Sequence, residues 1–417
     1  MVTSNGYAQS NDDEKYIQAN RYYEAKEFDK AIPILNELVG KNHTKAMNTL
    51  GNCYYNGNGV NKDLKKSFEL YQRSAKLGWA KGQFNIGMSY YYGEGVDQNY
   101  KQAVAWWTKA ADQGLADAQH NLGVCYEKGQ GTPEDYDMAF SYYKKAAAHG
   151  HEKSLNNLGW FYEKGLSVDI DLEKAIYYYE QAANKGNSQA MVNLGWLYLE
   201  NEDYKNQHPE YGWEYFEKQA EKWFRLAAKE NNPHGTYALA WFYYTLNPGG
   251  TDIWDRLKKA TPLFEKAANM DSWGAQLFMG YASMREGNLQ SAMNWFNKAE
   301  ENGGKDSFGL SVTEWKTICG FFIKNSQYKF FWNNDCCSID HYVYPEENYL
   351  YVGATLNGKF GFLKISFTGK ILAHTPFIYE QGWPHYDKET KLFHVTLKKE
   401  GEEYGHDITI DITGKEI

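Results

Sequence analysis

An apolar residue followed by glycine recurs along this chain at a fixed interval of 36 residues: Leu50-Gly51, Ile86-Gly87, Leu122-Gly123, Leu158-Gly159 and Leu194-Gly195. Each copy carries a tyrosine three places after its glycine (Tyr54, Tyr90, Tyr126, Tyr162, Tyr198). Further on comes a pair of small residues, as in Ser74-Ala75, Ala110-Ala111, Ala146-Ala147 and Ala182-Ala183. A period of that length marks a supersecondary unit stacked on copies of itself. Within a copy the apolar positions fall three and four apart, as in Ala118, Leu122 and Tyr126 and then Ala139, Tyr143 and Ala146, so each unit reads as two amphipathic helices. Small residues on one helix opposite large ones on the next allow close approach. The expected fold is an α-solenoid of about eight helix pairs over residues 1–304, since a lone pair cannot bury its apolar face and stacked neighbours supply the core.

The turn inside a copy carries two glycines: Gly57 and Gly59, Gly93 and Gly95, Gly129 and Gly131. Such pairs could suggest a phosphate cradle. A phosphate loop, however, needs a strand before it and Lys-Ser/Thr after it, or a dinucleotide fingerprint that opens a helix. Here the glycines follow a helix, where glycine adopts the left-handed C-cap conformation. No nucleotide or other cofactor is expected.

The N-L-G-x-x-Y, G-x-G-V and W-x-x-K-A-A-x-x-G elements, the last at Trp107–Gly114, resemble the Sel1-like repeat family, a tetratricopeptide-like class of helix-pair solenoids. The resemblance covers roughly residues 13–304. Residues 13–44 depart from it and look more like a plain tetratricopeptide unit, with Tyr22 and Ala31 in the corresponding places. Two later units have longer inter-helix segments, so the next landmarks are Leu239-Ala240 and Met279-Gly280, 45 and 40 residues on. Insertions in a solenoid map to loops.

In solenoids of this type the first helix of each pair lines the concave side, which the resemblance implies here. The position after the Leu-Gly landmark runs Asn52, Met88, Val124, Trp160, Trp196, Trp241 and Tyr281, a ladder that becomes aromatic in its second half. Three indoles offer a platform for apolar side chains or a sugar ring. The position before the landmark runs Thr49, Asn85, Asn121, Asn157 and Asn193. Asparagine both donates and accepts, which suits an extended peptide backbone; it equally suits bracing of neighbouring helices. Tyr91, Glu127 and Glu163 lie in a further column, the two acids favouring a ligand with Lys or Arg. The expected ligand-binding set is therefore Asn85, Asn121, Asn157, Asn193, Trp160, Trp196, Trp241, Tyr91, Glu127 and Glu163.

With 44 basic and 53 acidic residues and a charge of −9, the chain has no basic cluster of the kind that nucleic acid or an anionic membrane requires. No apolar run approaches the roughly 20 residues of a bilayer-crossing helix. Residues 1–14 lack the regions of a signal peptide, although YAQSNDDE resembles the start of a mature secreted protein, so cytoplasmic and extracytoplasmic locations both stay open. The five cysteines form no C-x-x-C pair. Some Sel1-like proteins carry a disulfide inside each repeat, but Cys53 and Cys125 lie two repeats apart in one column. Cys336 and Cys337 near His341 read as small buried strand residues ahead of a redox or metal element. Nothing matches H-E-x-x-H, G-x-S-x-G or a Ser/Cys nucleophile motif, so no enzyme is expected. The expected function is a scaffold binding a peptide or partner-protein segment on the aromatic-lined face. The alternative is an extracytoplasmic binder of glycans or cell-wall fragments.

After Gly303-Gly304 the spacing changes to alternation and aromatic runs (ICGFFI, YKFFW, HYVY, YLYVGATL, KFGFLKIS, KLFHVTL, HDITIDI), which read as about eight strands of an antiparallel β-meander over 305–417. Asn357-Gly358 between two alternating runs marks a hairpin, and Thr368-Gly369-Lys370 and Thr413-Gly414-Lys415 mark turns. KFGFLKISFTGKIL and YGHDITIDITGKEI loosely resemble WG-type β repeats, which accompany helical repeats in some bacterial proteins, with Phe360 or Tyr404 in place of the tryptophan. That resemblance implies a second binding or capping unit.

Overall fold

The computed structural model describes residues 4–246, 253–304, 306–307 and 310–325. Beyond these it describes the backbone of 328–330, 343–346, 349–356, 359–366, 371–374, 382–387, 392–397 and 406–410. The chain forms two compact units, residues 1–197 with 201–208, and residues 198–200 with 209–417.

The first unit is a stack of antiparallel helix pairs. They are α1 (Ser4–Glu24) with α2 (Phe28–Gly40), α3 (Thr44–Asn56) with α4 (Leu64–Lys76), α5 (Ala80–Tyr92) with α6 (Tyr100–Asp112), α7 (Ala116–Lys128) with α8 (Tyr136–Ala148), and α9 (Glu152–Lys164) with α10 (Leu172–Asn184). Next come α11 (Ser188–Glu200), which runs across the boundary between the units, and the short α12 (Glu202–Gln207). Three local devices recur. The leading helices α3, α5, α7 and α9 end on Gly57, Gly93, Gly129 and Gly165, with φ between 63° and 77°, the left-handed cap expected from the glycine pairs. The trailing helices begin at Asp63, Asn99, Asp135 and Asp171, each of whose side chains accepts the backbone N–H three residues on.

The third device explains the landmark glycine. Tyr71, Trp107, Tyr143 and Tyr179 of the trailing helices pack against Gly51, Gly87, Gly123 and Gly159, so closely that a Cβ on Gly123 would stand 2.5 Å from the Tyr143 ring. The four aromatics are buried. The four pairs from α3–α4 to α9–α10 thus each close on a glycine-for-ring contact that a Cβ would obstruct.

The second unit continues with α13 (Trp213–Lys229), α14 (Pro233–Thr245), α15 (Ile253–Ala268), α16 (Trp273–Arg285) and α17 (Leu289–Glu301). Phe296 covers Gly280 in the same manner. One further helix follows, α18 (Val312–Lys324), opened by a capping box of Ser311 and Glu314. The ICGFFI run expected as a strand is the second half of this helix. Val312, Trp315, Ile318, Cys319 and Phe322 recur at three- and four-residue spacing and seal against Leu277, Tyr281 and Phe296. Helical packing therefore extends past residue 304.

Farther on, the backbone of 349–356 pairs antiparallel with 359–366, from Tyr349 opposite Ser366 to Leu356 opposite Lys359. Residues 382–387, 392–397 and 406–410 form a three-stranded antiparallel ladder. The Cys336, Cys337 and His341 cluster, Asn357-Gly358, both Thr-Gly-Lys turns and Tyr404 lie outside the described residues. Among the described residues no helix is long and apolar enough to cross a membrane.

Candidate functional site

Leading helices of the first unit border two adjoining openings. One, of about 360 Å³, is lined by Tyr16, Lys45, Asn48, Asn52, Trp79, Lys81 and Asn85 among others. The other, of about 290 Å³, is lined by Met88, Tyr91, His120, Asn121, Val124 and His151 among others. Phe84 and Asp117 border both, so the two are neighbours along the stack.

The asparagine column supplies cross-repeat bonds. Asn85 donates to Asn48 Oδ1 at 2.9 Å and Asn193 donates to Asn156 Oδ1 at 3.0 Å, each joining one repeat to the preceding one. Asn121 Nδ2 stands 3.4 Å from Met88 Sδ, and Asn157 Oδ1 accepts from Asn156 at 3.5 Å. Asn85 and Asn121 border the openings; Asn157 and Asn193 border neither. Tyr91 lines the second opening and donates to Gln130 Oε1 at 2.6 Å, one turn farther along the stack. Tyr55 makes the equivalent bond to Glu94 at 2.8 Å.

Trp160, Trp196 and Trp241 are half-buried, and none borders either opening. Trp160 packs edge-on to Phe161 against a core that includes Tyr143 and Leu158. In the second unit, Trp241 lies near-parallel to Tyr237 at 6.2 Å. Tyr281, expected as the last rung of that ladder, is instead core: only 5% exposed, it packs against the Trp315 ring at 4.6 Å. The added helix α18 covers it.

Glu127 and Glu163 do not stand free for a basic ligand. Tyr143 donates to Glu127 at 2.5 Å and Tyr179 to Glu163 at 2.7 Å, from the trailing helix of the same pair. Burial, then the carboxylate, holds both phenols far above their ordinary range. The glycine-covering tyrosine and the acid thus form one structural unit.

Two pairings escaped sequence reasoning. His120 and His151 stack at 4.5 Å, with Ser154 Oγ 2.9 and 3.1 Å from their Nδ1 atoms and Asp117 3.6 Å from His151 Nε2. Burial, reinforced by His151 and Lys153, pushes His120 down to about 3, and burial also lowers His151. Ser154 is wholly buried, its hydroxyl shared between the two rings. The second is Lys45 and Lys81, which border the larger opening one repeat apart. Their 36-residue step was a visible signal, but lysines on a helical surface ordinarily read as a solvated face. Cys53 and Cys125 are free and buried, their thiols pushed up to about 11 and about 12 by burial.

A stack of helix pairs, four successive ones closed by a ring over a glycine, defines the class as a helix-pair repeat protein. Residues 44–79, 80–115, 116–151, 153–187, 188–221, 217–232 and 274–304 match the Sel1 repeat. That is more than half of the chain, which belongs to the Sel1 repeat family. A protective antigen present in uropathogenic Escherichia coli strains, displaying an SLR fold, is 26% identical with a TM-score of 0.56. The alignment covers 76% of this chain and 66% of that one, so the chain spans just under two thirds of that protein's length. A Sel1 repeat protein from Oxalobacter formigenes is 28% identical with a TM-score of 0.50, over 59% of this chain and 96% of that one. No curated protein matches. The likeness of the carboxy-terminal residues to WG-type repeats finds no support in these comparisons.

Proposed function

We propose that this chain is a non-catalytic scaffold that holds an extended segment of a partner protein along the leading helices of its first unit. Sel1 repeat proteins generally serve as protein-interaction scaffolds. The observation that carries the reading is the pair of neighbouring openings that share Phe84 and Asp117 in their linings, bordered by amides and aromatics from successive repeats. Amides and rings at a repeating step suit a backbone with side chains on alternate faces. Trp160 and Trp196 would extend the platform into later repeats of the first unit and Trp241 would offer a separate contact on the second. The strands beyond 343 would form an antiparallel capping or second binding unit.

The test is selection from a random dodecapeptide library on the full chain, followed by affinity measurement on Phe84→Ala, Asn121→Ala, Trp196→Ala and Trp241→Ala. The proposal expects saturable peptide binding, with the first two variants weakened at least about tenfold, the scale of a single interface anchor. Absence of peptide binding together with oligosaccharide binding lost in Trp196→Ala would replace it by the glycan-binding alternative.

A further inference from the structure

Lysine occupies the second position of three leading helices, Lys45 in α3, Lys81 in α5 and Lys153 in α9, with Asp117 at that place in α7. A cation in the first turn opposes the positive end of the helix dipole, so helix stability does not account for the column. Nor does ion pairing account for its first two members. Lys30, Lys41 and Lys174 each contact a carboxylate, whereas Lys45 and Lys81 have none among the described residues. Lys45 is half-buried, its ammonium 5.7 Å from the Trp79 ring and 6.0 Å from the Tyr16 ring, both of which line the larger opening. Asn48, Asn52 and Asn85 border the same space. Two ammonium groups with no carboxylate at ion-pair distance, Lys45 half-buried and Lys81 exposed, stand beside amides and make a local site for an anion at one side of an opening that Glu24 and Asp117 also border.

We propose that the larger opening binds a carboxylate between Lys45 and Lys81, supplied by an acidic residue or chain terminus of the extended partner segment. This deepens the scaffold reading and rests on it. Two carboxylates restrict the ligand. Asp117 takes the next place after Lys81 in the column, and Glu24 borders the opening from the last residue of α1. Helix α1 runs alongside α3 in the same direction, as the contacts Asp13 to His43 and Tyr16 to Thr49 show, so Glu24 lies toward the far end of the helices from Lys45. Packed helices stand about 8–10 Å apart, which is about three residues of extended chain. The lysine pair therefore matches one or two acidic residues, and a long polyanion such as nucleic acid runs into Asp117 and Glu24.

The test titrates the full chain, by fluorescence anisotropy, with three rhodamine-labelled octapeptide pools. All are amidated and random except at two adjacent central positions, which hold Glu-Glu, Gln-Gln or Lys-Lys. The Glu pool is expected to bind about fivefold or more tighter than the Gln pool, with the Lys pool weakest. Lys45→Gln and Lys81→Gln are each expected to remove most of that difference, to leave Gln-pool affinity in place, and to keep or raise the melting temperature. A purely structural role for the lysines would lower the melting temperature instead. Equal binding of the Glu and Gln pools overturns the carboxylate site and leaves the scaffold reading standing. Binding of no pool overturns both. A Glu preference abolished by an equal concentration of oligothymidylate overturns the assignment to a peptide carboxylate.

Discussion

Replacing Gly123 by alanine tests the glycine-for-ring contact on which the pairs from α3–α4 to α9–α10 close. A Cβ there would stand 2.5, 2.6 and 3.0 Å from Cε1, Cδ1 and Cζ of Tyr143. The ring cannot swing aside cheaply, because it is wholly buried and its hydroxyl is bonded to Glu127. Overpacking of this kind costs about 1–3 kcal/mol, and straining a bond to a charged group adds part of its own 1.5–3 kcal/mol or so. Against this, alanine gains about 1 kcal/mol over glycine in a helix interior. The net expectation is a destabilisation of about 1–3 kcal/mol. Gly40, the last residue of α2, is the control. Nothing lies within 4 Å of its built Cβ, so Gly40→Ala should be neutral or stabilising by up to about 1 kcal/mol. Urea unfolding followed by far-UV circular dichroism gives the difference between the two variants. Hydrogen exchange locates it, since a repeat couples mainly to its neighbours; lost protection should centre on α7 and α8. A Gly123→Ala protein within about 0.5 kcal/mol of the Gly40→Ala protein, near the limit of such comparisons, would refute the close-approach argument.

Three further outcomes are expected. Tyr179→Phe deletes one of two donors to the half-buried Glu163, leaving Lys164 on its other oxygen, and should cost about 1.5 kcal/mol in denaturant unfolding. His120 has its pKa lowered, so its contribution is present above the unfolded value near 6.5 and is lost as pH falls toward about 3. That amounts to about 2 kcal/mol lost by pH 5, a slope that His120→Gln should flatten in melting scans at successive pH values. The charged neighbours of that pair are Asp117, Glu152 and Lys153. Trp315→Ala should cost about 3–5 kcal/mol and raise exchange in α16 and α17, because the indole is 1% exposed in their shared core; unchanged exchange there would detach α18 from the helical stack.

The helix pairs were legible because the repeat states its packing rule openly: the landmark glycine, the ring 20 residues later and the glycine caps all recur at one step. The candidate site was less legible. Column reading found Asn85, Asn121 and Tyr91 at the openings, but placed Glu127 and Glu163 on a ligand face when core tyrosines hold them. A column specifies a side of the helix; it does not say which partner on the trailing helix arrives first. The Ile318–Ile323 run misled for a related reason, since a short apolar stretch fits a strand as well as a helix buried on several sides.

Period, helix pairing and cap positions thus follow from the chain's own order of residues, because they depend on contacts within a unit and between identical neighbours. What required three dimensions was the fate of each polar or aromatic group: Tyr281 sealed by a helix outside the repeat pattern, His120 and His151 brought face to face across a repeat joint, Lys45 and Lys81 left unpaired beside an opening. Those outcomes turn on distances between side chains from different helices, which no one-dimensional spacing contains.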